Sequence, residues 1–235
     1  MRLDKFLSDS TDMSRKDIKQ LIKKKSVKVN GEIITKPEHQ VSEADEVAVK
    51  DHTVLYKRFV YFILNKPQGY VSATEDKKYP VVTELIPKEY AHFGVFPVGR
   101  LDIDTEGLLI LTNDGGFTHD ITSPKKGVYK RYFARLDKPL SEADKSAFSA
   151  GMEFKDFTAK PAKLEICQDP CEAFVEIAEG KFHQVKRMFE RVGKTVVYLK
   201  RVSIGGLSLD DDIALGDVRL IEKDELAGEI FGKEV

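Results

Sequence analysis

Apolar positions near the start of the chain recur at helical spacing. Leu3, Phe6 and Leu7 form a short helical face, and Ile18, Leu21 and Ile22 repeat at i, i+3 and i+4. Between them Ser14-Arg15-Lys16-Asp17 resembles a capping box with Asp in place of Glu, which makes Ser14 the expected N-cap. The period then shortens. Val27-Lys28-Val29 alternates into Asn30-Gly31 and Ile33-Ile34, a hairpin signal, and Val47 and Val49 mark one more short strand. This opening unit offers few core positions, close to the lower limit for independent stability. Residues 50–58 read as a linker.

The pattern changes at Val60. Val60-Tyr61-Phe62-Ile63-Leu64 and Leu108-Leu109-Ile110-Leu111 are unbroken apolar runs, as in strands covered on both faces, and Asn113-Asp114-Gly115 closes the second with a turn. From Lys130 to Leu136 the chain alternates, with Tyr132, Ala134 and Leu136 on one face and Arg131, Phe133 and Arg135 on the other; Glu172 to Ala178 alternates too. Helices are predicted over 141–149, capped by Ser141, and over 183–192, where Val185, Met188, Phe189 and Val192 make an apolar stripe and Gly193 takes the C-terminal cap. Strands outnumber helices and cluster, which predicts an α+β fold. The expected organisation is a small α/β module with its linker over 1–57 and a larger domain over 58–235, built on a mainly antiparallel mixed sheet flanked by helices.

Composition narrows the class. Of 235 residues 41% are hydrophobic and 33% charged, and mean hydropathy is −0.33. No apolar run approaches the roughly 20 residues of a membrane span, and Met1-Arg2-Leu3-Asp4-Lys5 carries charge where a signal peptide has its apolar stretch. Cys167 and Cys171 are too few for a disulfide framework and suit a reducing cytoplasm. The net charge of −1 argues against nucleic acid when read globally. Locally, seven cations stand between Ser14 and Lys28 against Asp17 alone, and Arg15, Lys19 and Lys23 share one helix face with Lys16 beside them. A polyanion responds to that local field, because salt screens charges beyond about 8–10 Å.

The densest chemistry lies in Gly99-Arg100-Leu101-Asp102-Ile103-Asp104-Thr105-Glu106-Gly107, three carboxylates and an Arg on a loop between strands. A calcium loop would place ligands at Asp102, Asp104 and Glu106, but its twelfth position is Asn113 rather than a bidentate Glu. Spacing alone favours a solvated acidic turn. On a helical wheel Lys186 lies about 100° from Val185 and flanks the apolar stripe. That turns Lys186 inward toward a carboxylate and points Arg187 at solvent or phosphate; two ordinary surface cations are the bland alternative. His183 lacks a second ligand at metal spacing and suits a polar helix start. Asn65-Lys66-Pro67-Gln68-Gly69-Tyr70 is a turn after a buried strand, Tyr132 alone reads as a core aromatic, and Cys167 and Cys171 read as structural.

Taken together, Gly99 to Leu108, Leu64-Asn65-Lys66-Pro67-Gln68-Gly69-Tyr70 and His183-Gln184-Val185-Lys186-Arg187-Met188-Phe189 resemble the ribosomal RNA pseudouridine synthases, in the bacterial small-subunit RsuA branch. Arg2 to Leu7, Ser14-Arg15 and Val29-Asn30-Gly31 are similar to the RNA-binding module named after ribosomal protein S4. The resemblance implies a pseudouridine synthase fold in which Asp102 is the catalytic aspartate, Tyr132 the active-site tyrosine and Lys186 the basic partner of the aspartate. It implies RNA contacts from Arg100, Arg187, Asn65 and Lys66, with Arg15, Lys16, Lys19 and Lys23 on the N-terminal module, and no chemical role for Asp104 or Glu106. The implied substrate is a uridine of 16S ribosomal RNA (position 516), naked or in an assembling small subunit, modified in the cytoplasm by a monomer with no membrane partner. Such an isomerisation needs no redox step or activated donor, so no cofactor or metal is implied. The alternatives are a large-subunit rRNA synthase, a non-catalytic RNA-binding or ribosome-assembly factor, and a calcium-dependent structural protein.

Overall fold

Ser14 caps the second helix of the chain in the computed structural model, which describes residues 1–54, 56–123 and 126–232. Its Oγ accepts the Asp17 amide at 3.2 Å and donates to the Asp17 carboxylate at 2.6 Å. Helices α1 (Leu3–Ser10) and α2 (Arg15–Lys23) cover a sheet of β1 (Val27–Val29), β2 (Glu32–Ile33), β3 (Val47–Val49) and β4 (His52–Val54) in the order β2-β1-β3-β4. Asn30 and Gly31 take φ of 50° and 84° at the β1–β2 turn, the left-handed pair that a tight hairpin requires. Leu3, Phe6, Leu7, Ile18, Ile22 and the valines of β1 and β3 form the core. The expected linker is corrected at its start: His52–Val54 pairs with β3 after a turn through Lys50 and Asp51, both at positive φ. Leu55 lies outside the described residues. The first compact unit comprises Met1–Phe59 with Pro87–Gly94, a segment that the sequence reading placed in the larger domain and that no periodicity marks.

The second unit, Val60–Ile86 with Val95–Val235, is built on β5 (Tyr61–Lys66), β6 (Phe96–Pro97), β7 (Glu106–Thr112), β8 (Lys130–Leu136), β9 (Met152–Glu153), β10 (Thr158–Ala159), β11 (Lys163–Ile166), β12 (Glu172–Ile177), β13 (Val196–Ile204), β14 (Leu207–Ser208) and β15 (Val218–Ile221). Its main sheet runs β11-β12-β8-β13-β7-β5-β15, with β14 beside β13 and β6 beside β7, while β9 and β10 pair apart from it. Along the path β13 and β7 are parallel and the other neighbours antiparallel, so the sheet is mixed and mainly antiparallel as expected. Helices α3 (Gly115–Thr122), α4 (Glu142–Ala150), α5 (Gln184–Arg191) and α6 (Lys223–Phe231) complete the unit. The alternating face of β8 is buried through Tyr132, Ala134 and Leu136. On the other face Arg131 pairs with Glu176 and Glu165, and Arg135 with Glu172.

The expected turn at Asn113-Asp114-Gly115 is the start of α3. Asp114 accepts the Phe117 amide at 3.0 Å, and its other oxygen takes the Tyr61 hydroxyl at 2.7 Å and the Lys223 ammonium at 3.0 Å. Burial pushes its carboxyl up, but these donors win and hold it below the usual range. A depressed carboxylate stabilises the fold above its unfolded value and loses that contribution as pH falls through its native one. Asp114→Asn should therefore cost stability at neutral pH, and its urea midpoint should converge on that of the wild type as pH drops from 6 toward 3. A gap independent of pH would refute this assignment.

Candidate active site

The Asp102 loop is held from behind by backbone contacts. Lys66 ends β5 with none of its surface exposed, and its Nζ donates to the carbonyls of Thr105 at 2.9 Å, Pro67 at 3.0 Å and Asp102 at 3.1 Å. Burial lowers its pKa to about 8, against the pull of Asp104, Asp102 and Glu106. Ser72 Oγ donates to the Leu101 carbonyl and accepts the Leu101 amide, and the Gly69 amide donates to Ile103. The Asn65–Tyr70 turn is thus a clamp on the loop. Gly107 then crosses into β7 with φ of 101°, where a Cβ would stand 2.2 Å from the Arg201 carbonyl oxygen. Only glycine permits this parallel junction of β7 with β13.

Helix α5 brings the cation. Its apolar stripe of Val185, Met188 and Phe189 is buried, and Lys186 flanks it. Lys186 Nζ lies 3.1 Å from Asp102 Oδ2 and 2.5 Å from Asp104 Oδ1. Burial alone would lower the lysine, but hydrogen bonds to Asp104 and Asp102 raise it. Asp104 is pushed up by burial and brought below the usual carboxylate range by Lys186. His183, at the start of α5 with a left-handed φ of 51°, places Nε2 3.6 Å from Asp102 Oδ1. Tyr132, buried on β8, lines one pocket with Asp102, Thr105, Lys186 and Leu199, and exposed Arg100 lies at its rim.

Several expected contacts are placed differently. Asn65 and Lys66, read as RNA contacts, are buried; Asn65 Nδ2 donates to the Ile213 carbonyl at 2.8 Å, so both serve the backbone. Arg187, expected to face solvent or phosphate, makes two hydrogen bonds to Asp156 and lies 4.8 and 4.7 Å from the ring centroids of Phe154 and Phe157. A guanidinium satisfies a carboxylate fork and two aromatic faces at once, which explains the preference. Arg15, Lys16, Lys19 and Lys23 stand exposed on or beside one face of α2, in the first unit. Two residues at the site, Asp104 and His183, were not expected there. Nothing in the spacing marks His183, because its approach depends on the left-handed backbone. Glu106 is turned away to accept the Tyr198 hydroxyl at 2.7 Å, whose pKa burial and Glu106 push up to about 12. Among the described residues no three His, Cys, Asp or Glu side chains form a metal-sized group.

The arrangement offers a carboxylate held by an ammonium, beside a buried phenol, in a pocket open at a cationic rim. It can bind a planar base against the phenol ring and set a negative charge against an electron-deficient carbon.

Known proteins are similar to this chain over nearly its full length. The family model described as RNA pseudouridylate synthase matches residues 60–191, and the S4 domain model matches residues 1–47. A protein of Aquifex aeolicus named as an uncharacterized RNA pseudouridine synthase is 42% identical over 96% of this chain and 94% of its own. The ribosomal small subunit pseudouridine synthase A of Escherichia coli K12 is 39% identical over 97% of this chain and 99% of its own. A crystal structure of a pseudouridylate synthase, 37% identical, superposes with a TM-score of 0.67 over 96% of this chain and 98% of that one.

Proposed function

The chain belongs to the RNA pseudouridylate synthase family, and on that premise we propose that it converts one uridine of 16S ribosomal RNA to pseudouridine, with Asp102 as the catalytic carboxylate. The observation that carries this reading is the Asp102 carboxylate 3.1 Å from Lys186 Nζ in the pocket that Tyr132 lines. The near full-length likeness to a small-subunit enzyme supports the choice of RNA.

The target base leaves its stack to enter the pocket, at a cost of a few kcal/mol. The bond from ribose C1′ to base N1 breaks, the base turns, C1′ bonds to C5, and the proton leaving C5 is balanced by one gained at N1. Asp102 serves as nucleophile or as counter-charge to an oxocarbenium-like sugar, with the Lys186 ammonium 3.1 Å away. The Tyr132 ring stacks on the base, and its hydroxyl relays the C5 proton, taking it as it gives up its own through water toward N1. The S4 domain holds the surrounding RNA, with Arg15, Lys16, Lys19 and Lys23 on phosphates. The enzyme works as a cytoplasmic monomer on 16S rRNA or on a small subunit under assembly.

A pseudouridine map of both large rRNAs, with and without the gene, tests this reading. One site should vanish from the 16S map, the uridine that the resemblance implies. Loss from the 23S map instead would make this a large-subunit enzyme, and no loss from either would end the proposal. Tyr132→Phe keeps the stacking ring and removes the hydroxyl. It should bind RNA normally and fail to form product; equal rates for the two proteins would leave Tyr132 a stacking role only.

A further inference from the structure

Phe182 leaves 72% of its surface in water, more than any other large apolar side chain among the described residues. A single exposed apolar ring is ordinary. This one is placed with unusual care. It lines one groove with Asp102, Asp104, Lys186 and a second exposed aromatic, Tyr79. Its ring stacks on the His183 imidazole with centroids 3.8 Å apart and planes 18° apart. His183 in turn reaches to 3.6 Å from the Asp102 carboxylate through a left-handed backbone that non-glycine residues rarely adopt. The ring is therefore fixed in relation to the reactive carboxylate.

Lysines flank these rings in a groove that also carries Asp76, Asp102 and Asp104. Lys181 precedes Phe182 in the same groove, and Lys78 Nζ lies 4.7 Å from the Tyr79 ring centroid. Aromatic faces interleaved with cations are how proteins hold single-stranded nucleic acid, since every base has a π face while phosphates want ammonium. A base inside a duplex is covered on both faces by its neighbours. A ring beside the reactive carboxylate can stack only on a base that is already out of the helix.

We propose that Phe182 is a stacking platform for an unpaired nucleotide next to the target uridine, so that the substrate is RNA whose strand is open around that uridine. The inference rests on the function proposed above, with Tyr79 as a second platform in the same groove. Phe182 is a specificity residue that acts on binding of the flanking nucleotide.

The chain has no tryptophan, so Phe182→Trp introduces its sole indole at this place. Titration of the full-length variant with a nine-residue oligouridylate should quench the indole and shield it from acrylamide. The same strand annealed to oligoadenylate should do neither. In parallel, Phe182→Leu should raise KM on a 16S rRNA transcript roughly 5- to 150-fold, the equivalent of about 1–3 kcal/mol of base stacking, with the loss on KM rather than kcat. Phe182→Trp should recover affinity relative to Leu. An indole unchanged by oligouridylate, whether the strand binds elsewhere or not at all, overturns the proposal, as does equal quenching by the duplex. The titration needs no turnover. A wild-type protein that forms no pseudouridine in rRNA would sink the proposed function, and with it the target uridine, while the titration would still decide whether Phe182 stacks on an unpaired base.

Discussion

Asp102→Asn should abolish pseudouridine formation, by about 10⁴-fold or more, and leave RNA binding nearly unchanged. The substitution is nearly isosteric, so the effect isolates the charge. The loop should survive it, because Lys66, Ser72 and Gly69 hold backbone atoms of residues 101–105 and none of these bonds uses the Asp102 side chain. Lys186 keeps its contact with Asp104. An amide oxygen is a far weaker nucleophile than a carboxylate and carries no charge to offset a cationic carbon, so any route through the same side chain is slow. A single-turnover assay on a 16S rRNA transcript reads the chemical step, and filter binding at fixed salt reads affinity. Turnover within tenfold of the wild type would remove Asp102 from the mechanism.

The parts of this fold that were legible in the sequence are those where burial follows period. The unbroken runs Tyr61–Leu64 and Leu108–Leu111 are fully buried in β5 and β7, and the alternation of β8 puts Tyr132 on the buried face. The wheel of α5 put Lys186 at the edge of its apolar stripe, where the carboxylates are. Elements whose polar residues go inside were not legible. Strand β13 runs through Lys200 and Arg201, and Arg201 is buried with its Nε on the Leu108 carbonyl. Helix α3 opens on Gly115-Gly116, poor helix formers that the Asp114 cap offsets. The same limit explains Asn65 and Lys66. A lysine after a buried strand invites a solvent role, and nothing local shows that carbonyls 36 and 39 residues away will enclose it. The pairing of Asp104 with Lys186 spans 82 residues and depends on the loop's curvature, which spacing does not encode.

Lys186→Met should lower kcat by roughly 10²–10³-fold at neutral pH and make the rate rise more steeply with pH than it does in the wild type. In the wild type one ammonium lies within 3.1 Å of Asp102 and 2.5 Å of Asp104. The signs follow from the two shifted groups. Asp104 is held below the usual carboxylate range and so stays charged down to acid pH, and Lys186 is raised and so stays charged beyond the usual lysine range. Asp104 and Lys186 therefore keep their charges through the neutral range, and neither adds a slope there. Without the ammonium, two carboxylates face each other and bind their first proton more tightly, as a coupled pair. Activity of the variant should climb as rising pH strips that proton. Adding Asp104→Asn removes the like charge, and should recover part of the lost rate and flatten the profile. A merely structural role for Lys186 would predict the opposite, since a second substitution in a damaged loop adds damage. Measured single-turnover rates from pH 5 to 9 for the wild type, both single variants and the double variant decide between them. If Lys186→Met keeps the wild-type rate, or if Asp104→Asn deepens its defect, the ammonium does not act through the charge of Asp102.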